Sequence, residues 1–355
     1  LPQERAAAAA SSAWLVAADC YSEYNHGMTG DTGLTIREAI DAFVDSVRLA
    51  RSANTTRTYR NGLAVFQEVL AEHKVDPEKT PVTALKEEAV VWLATALKDR
   101  APTTERLYLT SATALYEFLV AENMAVINLP RIRLLIRQRA RRPGQRLPQF
   151  PRDAIEQIVD HMMALKGGTY ENEVEQLRDL RDRAFLVTLA DTGLRVHEAC
   201  GLRRGDIDWN EGRTIIIGKG NKQAVVRFSQ RSLHAMRDYL SARARLDGAT
   251  GRQLAALPLF ARHDRGAGKK TKPITTATGR NIVAERVKQV LGAEAVGTIT
   301  PHSFRHYFVT RVLRASGNLK LAQELARHTN IAVTQRYAHL SDDELDKGYF
   351  EAFEE

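Results

Sequence analysis

The chain has 355 residues, 44% of them hydrophobic, and 51 Lys and Arg against 43 Asp and Glu give it a net charge of +8. That apolar fraction suits a globular protein with a sizeable core and room for two domains, and no apolar run approaches the ~20 residues of a membrane span. Two cysteines, Cys20 and Cys200, exclude a disulfide framework and fit a reducing cytoplasm.

Residues 1–34 read as an N-terminal extension, expected to be partly disordered. Glu4, Asp19, Glu23 and Asp31 stand against Arg5, so this is not a basic arm for DNA. Its Ala run lacks a basic region followed by an apolar stretch, so no secretory leader is expected.

Residues 35–128 carry four helical patterns. Thr35 and Glu38 have capping-box spacing, and Ile36, Ile40, Phe43, Val44 and Val47 follow with a helical period. "NTTRTYRNGLAVFQEVLAEH", "TALKEEAVVWLATALKD" and "PTTERLYLTSATALYEFLVAEN" repeat the theme. The second and fourth helices open on Thr, Arg and Tyr. Helix N-termini bind phosphates readily, which makes Thr56, Arg57, Tyr59 and Thr104 candidate DNA contacts, although Ser and Thr there also serve as plain caps.

Residues 129–152 form a basic interdomain linker. From Arg131 to Arg152, "RIRLLIRQRARRPGQRLPQFPR" holds eight arginines and no Asp, Glu or Lys. Pro143, Pro148 and Pro151 mark an exposed connection, and concentrated basic charge is the footprint of a polyanion binder. Arg131, Arg133, Arg137, Arg139, Arg141 and Arg142 are the candidate phosphate contacts, with Lys222 further on.

Residues 153–342 are mostly helical, interrupted by "GRTIIIGKGNKQAVVRFS". Thr214 to Ile217 and Ala224 to Phe228 predict a hairpin, with Lys219 and Lys222 in its turn. The tail, 343–355, sets Leu345, Tyr349 and Phe353 on one stripe beside Phe350. So much apolar surface on a short acidic helix predicts docking, on its own domain or in trans on a neighbouring protomer.

The chemistry-bearing residues are scattered along this second half. Arg195 and Glu198 in "DTGLRVHEACGL" share a helix face; taken alone they would be an ordinary surface ion pair. In "TPHSFRHYFVTRV", Thr300 is a good N-cap and Pro301 suits the first helical position, so His302 and Arg305 sit in the opening turns. His302 and His306 have the spacing of a zinc helix, but no Glu follows the first His and Arg305 lies between them, so no metal site is expected. "LARHTNIAVTQRYAHL" adds His328 and Tyr337.

In order, Arg195, Lys219, His302, Arg305, His328 and Tyr337, with the flanks "TGLRVHE", "GKGNK", "PHSFRH" and "RYAHL", resemble the tyrosine recombinase (phage integrase) family, nearest its Xer-like and simple integrase types. The resemblance covers the second half almost throughout and the helical first half more loosely. It implies a mainly α fold: a helical, SAM-like core-binding domain and a mostly α catalytic domain with a small antiparallel β-sheet, the DNA breaking-rejoining enzyme fold. It implies that Tyr337 attacks the scissile phosphate to give a 3′-phosphotyrosyl link. Arg195 and Arg305 would clamp that phosphate, Lys219 protonate the leaving 5′ oxygen, His302 and His328 donate hydrogen bonds or protons, and Glu198 orient the cations. The implied partners are double-stranded DNA with paired inverted core sites and other copies of the chain, in a tetramer that passes through a Holliday junction. No cofactor, metal, ATP or membrane is implied, and the expected location is the cytoplasm, on the nucleoid. A type IB topoisomerase and a non-catalytic DNA-binding protein are the rival readings. One departure stands out: the family usually has Gly just before the second His, where this chain has Arg327. If that Gly is left-handed, an Arg there incurs a steric cost of roughly 1–2 kcal/mol.

The residue types make chemical sense without the resemblance. A phosphodiester gains charge on its non-bridging oxygens in the transition state, and two guanidiniums grip those oxygens with paired hydrogen bonds. Cationic neighbours lower the pKa of a Tyr hydroxyl from about 10. A covalent intermediate conserves the phosphodiester bond for rejoining.

Overall fold

The computed structural model describes residues 33–141, 151–165, 170, 172–217, 223–264, 271–328 and 334. The expectations for residues 1–32, Arg142, Lys219, Lys222, Tyr337 and the tail 343–355 lie outside the described residues. The chain divides into two compact units, Leu1–Gln145 and Arg146–Glu355.

The first unit is helical: α1 (Ile36–Ala50), α2 (Ala53–Glu72), α3 (Glu88–Ala96), α4 (Pro102–Ala121) and α5 (Leu129–Arg139). The capping box that opens α1 forms, with Glu38 N–H donating to Thr35 Oγ1 at 3.2 Å and Thr35 N–H to Glu38 Oε2 at 2.9 Å. The stripe behind it, Ile36, Ile40, Phe43, Val44 and Val47, is buried against Leu63, Phe66, Leu115 and Leu119. Burying each such side chain contributes roughly 1.5–3 kcal/mol.

The segment expected to be an exposed linker begins as α5. Asn128 caps it, its Oδ1 accepting the Arg131 N–H at 3.0 Å. Leu129, Ile132 and Ile136 form a stripe at helical spacing hidden among the arginines, and Ile132 is fully buried in the core of this unit.

The second unit holds α6 (Arg152–Ala164), α7 (Glu173–Thr192), α8 (Val196–Gly201), β1 (Ile207–Asp208), β2 (Arg213–Ile217), β3 (Gln223–Arg227), α9 (Gln230–Ala242), α10 (Ala244–Gly248), α11 (Thr276–Leu291), α12 (Pro301–Ser316) and α13 (Leu319–Ala326). The expected hairpin is β2 and β3, paired antiparallel with Ile215 opposite Val225; β1 adds a third strand, in the order β1-β2-β3. Helix α7 is the hub. Every residue from Leu180 to Ala190 is buried, including Arg181, Asp182 and Arg183. Those charges are paired: Arg286 from α11 reaches Asp182 at 2.7 Å, and Arg183 reaches Asp238 of α9 at 2.9 Å. A helix buried on all sides cannot swivel, so the loop at its C-terminus is fixed. The architecture is therefore mostly helical with one small antiparallel sheet. Among the described residues no helix is long and apolar enough to cross a membrane.

Candidate active site

The site is built where helix ends meet. Helix α7 ends at Gly193, which is left-handed (φ +59°) and donates its N–H to Leu189 O at 3.2 Å. A Cβ there would lie 2.5 Å from the Phe308 ring, so both backbone and space require glycine. The Gly193 carbonyl accepts from Arg305 Nη1 at 2.5 Å. Arg305 Nη2 donates to the Ala326 carbonyl at the end of α13. Helix C-termini carry partial negative charge, and two of them hold one guanidinium that is only 3% exposed.

Two residues beyond Gly193, Arg195 opens α8. Glu198 accepts the Arg195 backbone N–H at 2.8 Å on Oε2 and Arg195 Nη1 at 2.9 Å on Oε1. The pair is not the ordinary surface pair it resembles in isolation, because the Glu198 side chain is buried. Burial alone would raise its pKa, but the Arg195 N–H and the charges of Arg327 and Arg195 outweigh that and hold it ionised.

Helix α12 begins as expected at Thr300 and Pro301, with Ser303 Oγ accepting the Thr300 N–H at 3.1 Å. Its two candidate residues do not share one environment: Arg305 is buried, whereas His302 is exposed. The His302 ring meets His306 edge to face, with centroids 4.2 Å apart.

Helix α13 ends at Arg327, which is left-handed (φ +59°, ψ +44°). The next residue, His328, is fixed through its own backbone: its N–H donates to Gln323 O at 3.1 Å, and Gln323 Nε2 donates to its carbonyl at 3.0 Å. His328 Nδ1 shares a 2.9 Å hydrogen bond with the hydroxyl of Thr334, which is buried.

Charge is unbalanced here. Arg195, Arg305 and Arg327 surround one carboxylate, Glu198, the only acid bonded to any of them among the described residues. The imbalance shows in the titrating groups. Burial, then Arg195 and Arg327, push Arg305 down to about 9. Partial loss of water around its ring, then Arg305 and Arg195, lower His302 although its side chain stays open at the surface; burial with the same arginines brings His328 to about 4. Burial with the neighbouring histidines and Arg305 brings His306 to about 4. A pocket that resists protonation this strongly is suited to an anion.

Arg195, Glu198, His302, Arg305 and His328 thus come together; Lys219 and Tyr337 lie outside the described residues. Two further residues join the cluster that the motifs do not name as members. His306 reads in sequence only as a metal-ligand candidate, and its signal is its place one turn after His302. Arg327 reads there only as a departure from Gly. Among the described residues no cluster of His, Cys, Asp and Glu could hold a metal ion.

The first unit treats its candidates differently. Thr56 is buried and its hydroxyl bonds back to Ser52 O at 3.3 Å. Tyr59 stacks on Phe43 with centroids 6.0 Å apart. Arg57 is exposed, and Thr104 is half-buried. Arg131 pairs with Glu88, and Arg133 with Glu117 at 2.7 Å. Arg141 Nε reaches Glu105 at 2.5 Å, and its Nη2 donates to the Arg100 and Leu97 carbonyls at 2.5 and 3.2 Å. Lys98 meets the same Glu105 at 2.8 Å. Burial would raise the Glu105 carboxyl, but these donors hold it at about 2. Only Arg137 and Arg139 of the described linker arginines are exposed without a carboxylate partner. The basic run has no acids of its own, but helices α3 and α4 supply them.

Comparison with known proteins identifies the family of the chain. A model described as "Phage integrase family" matches residues 150–344, and one described as "Phage integrase, N-terminal SAM-like domain" matches residues 40–123. A tyrosine recombinase XerC of Thermodesulfovibrio yellowstonii is 28% identical over 303 residues, covering 85% of this chain and 91% of that protein. One of Pelobacter propionicus is 36% identical over 180 residues, 50% of this chain and 54% of the relative. In fold, XerH site-specific recombinase bound to palindromic difH substrate aligns with a TM-score of 0.62 at 17% identity, over 88% of this chain and 83% of that one. The Tn1549 transposon integrase in complex with transposon right end DNA aligns with 0.60 at 19% identity, over 90% and 99%. With one family model covering more than half of its length and a second matching the helical unit before it, the chain belongs to the phage integrase family and is a Xer-like tyrosine recombinase.

Proposed function

We propose that this recombinase cleaves and rejoins duplex DNA at paired inverted core sites, with Tyr337 as nucleophile. The Tyr337 hydroxyl gives its proton to the neutral His302 ring as its oxygen bonds to the scissile phosphorus, the bond to the 5′ oxygen breaks, and a 3′-phosphotyrosyl link remains. The departing 5′ oxygen takes a proton from Lys219. Arg195 and Arg305 hold the non-bridging oxygens; donors fixed in place before charge develops supply most of the rate enhancement in such reactions. His328 Nδ1 and the Thr334 hydroxyl share one hydrogen bond, and in the tautomer where Thr334 donates, the ring proton sits on Nε2 and serves the phosphate. A free 5′ hydroxyl on a second strand reverses the step, and four protomers around a Holliday junction complete the exchange. The cationic side chains supply the charge neutralisation, so the reading calls for neither metal nor ATP. The protein would act on the chromosome in the cytoplasm.

The observation that supports this most is the excess of guanidinium over carboxylate where α7, α8, α12 and α13 meet. A duplex nicked beside the scissile phosphate tests it, because the cleaved fragment diffuses away and traps the adduct. The parent should accumulate a covalent DNA–protein species and Tyr337→Phe none, with non-covalent binding retained. An adduct from Tyr337→Phe would remove Tyr337 from the role. A substrate with sulfur in place of the 5′-bridging oxygen should restore Lys219→Ala, since that leaving group needs no proton.

A further inference from the structure

Arg327 is held at two costs. A non-glycine residue at φ +59° meets its own carbonyl through Cβ. Its guanidinium is also incompletely paired: the side chain is only 10% exposed, and among the described residues Nε and Nη1 are buried without an acceptor. Buried donors without partners destabilise a fold. Strain and unmet hydrogen bonding together, in one residue next to a catalytic cluster, indicate selection for something other than stability.

What Arg327 does touch is specific. Its Nη2 donates to Glu198 Oε2 at 3.2 Å and to Gly193 O at 3.2 Å. Glu198 is the carboxylate that holds Arg195, and Gly193 O is the carbonyl that holds Arg305. One guanidinium is therefore tied, through shared acceptors, to both arginines of the clamp. Because Nε and Nη1 are sealed, Arg327 does not reach a substrate in this arrangement, so it acts through its neighbours.

We infer that Arg327 is a positioning residue that locks Glu198 and the Gly193 carbonyl, and so sets the spacing of Arg195 and Arg305 before DNA arrives. With two acceptors shared, moving one clamp arginine loosens the contact of the other.

The inference rests on the cleavage reading above, and the parent's adduct on the nicked duplex establishes that reading first. The decisive variant is Arg327→Gly, which suits the left-handed backbone and removes the side chain. A merely structural Arg327 would lower the melting temperature on removal. The positioning role predicts a melting temperature equal to or above the parent's, unchanged half-saturating DNA, and single-turnover cleavage slowed tenfold or more. Arg327→Lys keeps charge but not the fork, and should recover less than half of the loss. Placed on Glu198→Gln, Arg327→Gly should slow cleavage by less than threefold further, because both act through the same carboxylate. Parental cleavage by Arg327→Gly, a melting temperature that falls with the rate, or effects that multiply in the double variant would each overturn the inference. A parent that forms no adduct would overturn the cleavage reading itself.

Discussion

Two sets of arginines in this chain look alike in sequence and behave in opposite ways. Arg131, Arg133 and Arg141 come from the densest basic run, yet each has a carboxylate within its own unit. Arg195, Arg305 and Arg327 are spread over more than 130 residues of sequence and converge on Glu198 and two helix ends. The first set is neutralised by the fold; the second is left with surplus charge. Local charge density therefore does not measure how much charge the fold leaves unmatched; the count of acids within bonding distance does.

The sharpest way to break the comparison is to change one arginine from each set. Arg305→Lys retains charge but cannot bridge Gly193 O and Ala326 O while facing a phosphate. Adduct formation on the nicked duplex should fall by about 10²–10³, whereas Arg133→Ala should stay within about twofold, since exposed pairs contribute little. Equal losses would dissolve the distinction.

Next in size is Glu105→Gln, which should destabilise the first unit by about 2–3 kcal/mol in urea unfolding. Breaking a buried pair is costly, but Lys98 and Arg141 are each more than a third exposed and regain water, which keeps the figure low. A stability unchanged from the parent would show that Glu105 is not the anchor of the segment after α5.

Acid should separate the two regions. His306 and His328 titrate at about 4 in the folded chain, so the unfolded chain binds their protons first. Stability of the second unit should drop as pH falls from about 6.5 toward 4, and be independent of these groups above that window. Glu105, held at about 2, keeps its contribution above about 4.5 and loses it only toward 2. Hydrogen exchange followed by unit should show the second loosening first. Bound duplex supplies the missing negative charge and raises both histidines, so binding near pH 5.5 should take up protons. Calorimetry in two buffers of different ionisation enthalpy measures this directly.

The smallest effect concerns salt. Each phosphate contact contributes roughly 0.9 to the slope of log K against log salt on duplex DNA. Arg137 and Arg139 together, changed to Gln, should flatten it by about 1.8. The same change at Arg131 and Arg133 should flatten it by less than half as much, because their charge is already matched.

Where a signal is local, the sequence carries it. Thr35 with Glu38, Thr300 before Pro301, and the alternating strands around residues 214–227 concern neighbours a few residues apart, and each appears as expected. Arg195, His302, Arg305 and His328 are legible because their order is distinctive. What sequence hides is all long-range. Helix α5 keeps a stripe of three apolar residues under its arginines, and what neutralises those arginines lies up to 44 residues away. Thr56 looks like a helix-end donor but turns inward. The backbone carbonyls of Gly193 and Ala326 have no side-chain signature, so nothing in a sequence names them as half of a guanidinium site. Arg327 is visible as an oddity; its reach to Glu198, 129 residues away, is not.

Gly193 makes the site unusually intolerant of inherited change. Every codon change that alters this residue adds a side chain, and even the smallest addition meets the Phe308 ring. The shift that relieves the clash moves the carbonyl that both Arg305 and Arg327 hold, so a single methyl group disturbs two cations at once. In a library randomised at codons 193, 195 and 305 and selected for recombination, position 193 should return glycine alone, as restrictively as the arginines. A position that contributes no side chain to the chemistry would then be as costly to mutate as those that do.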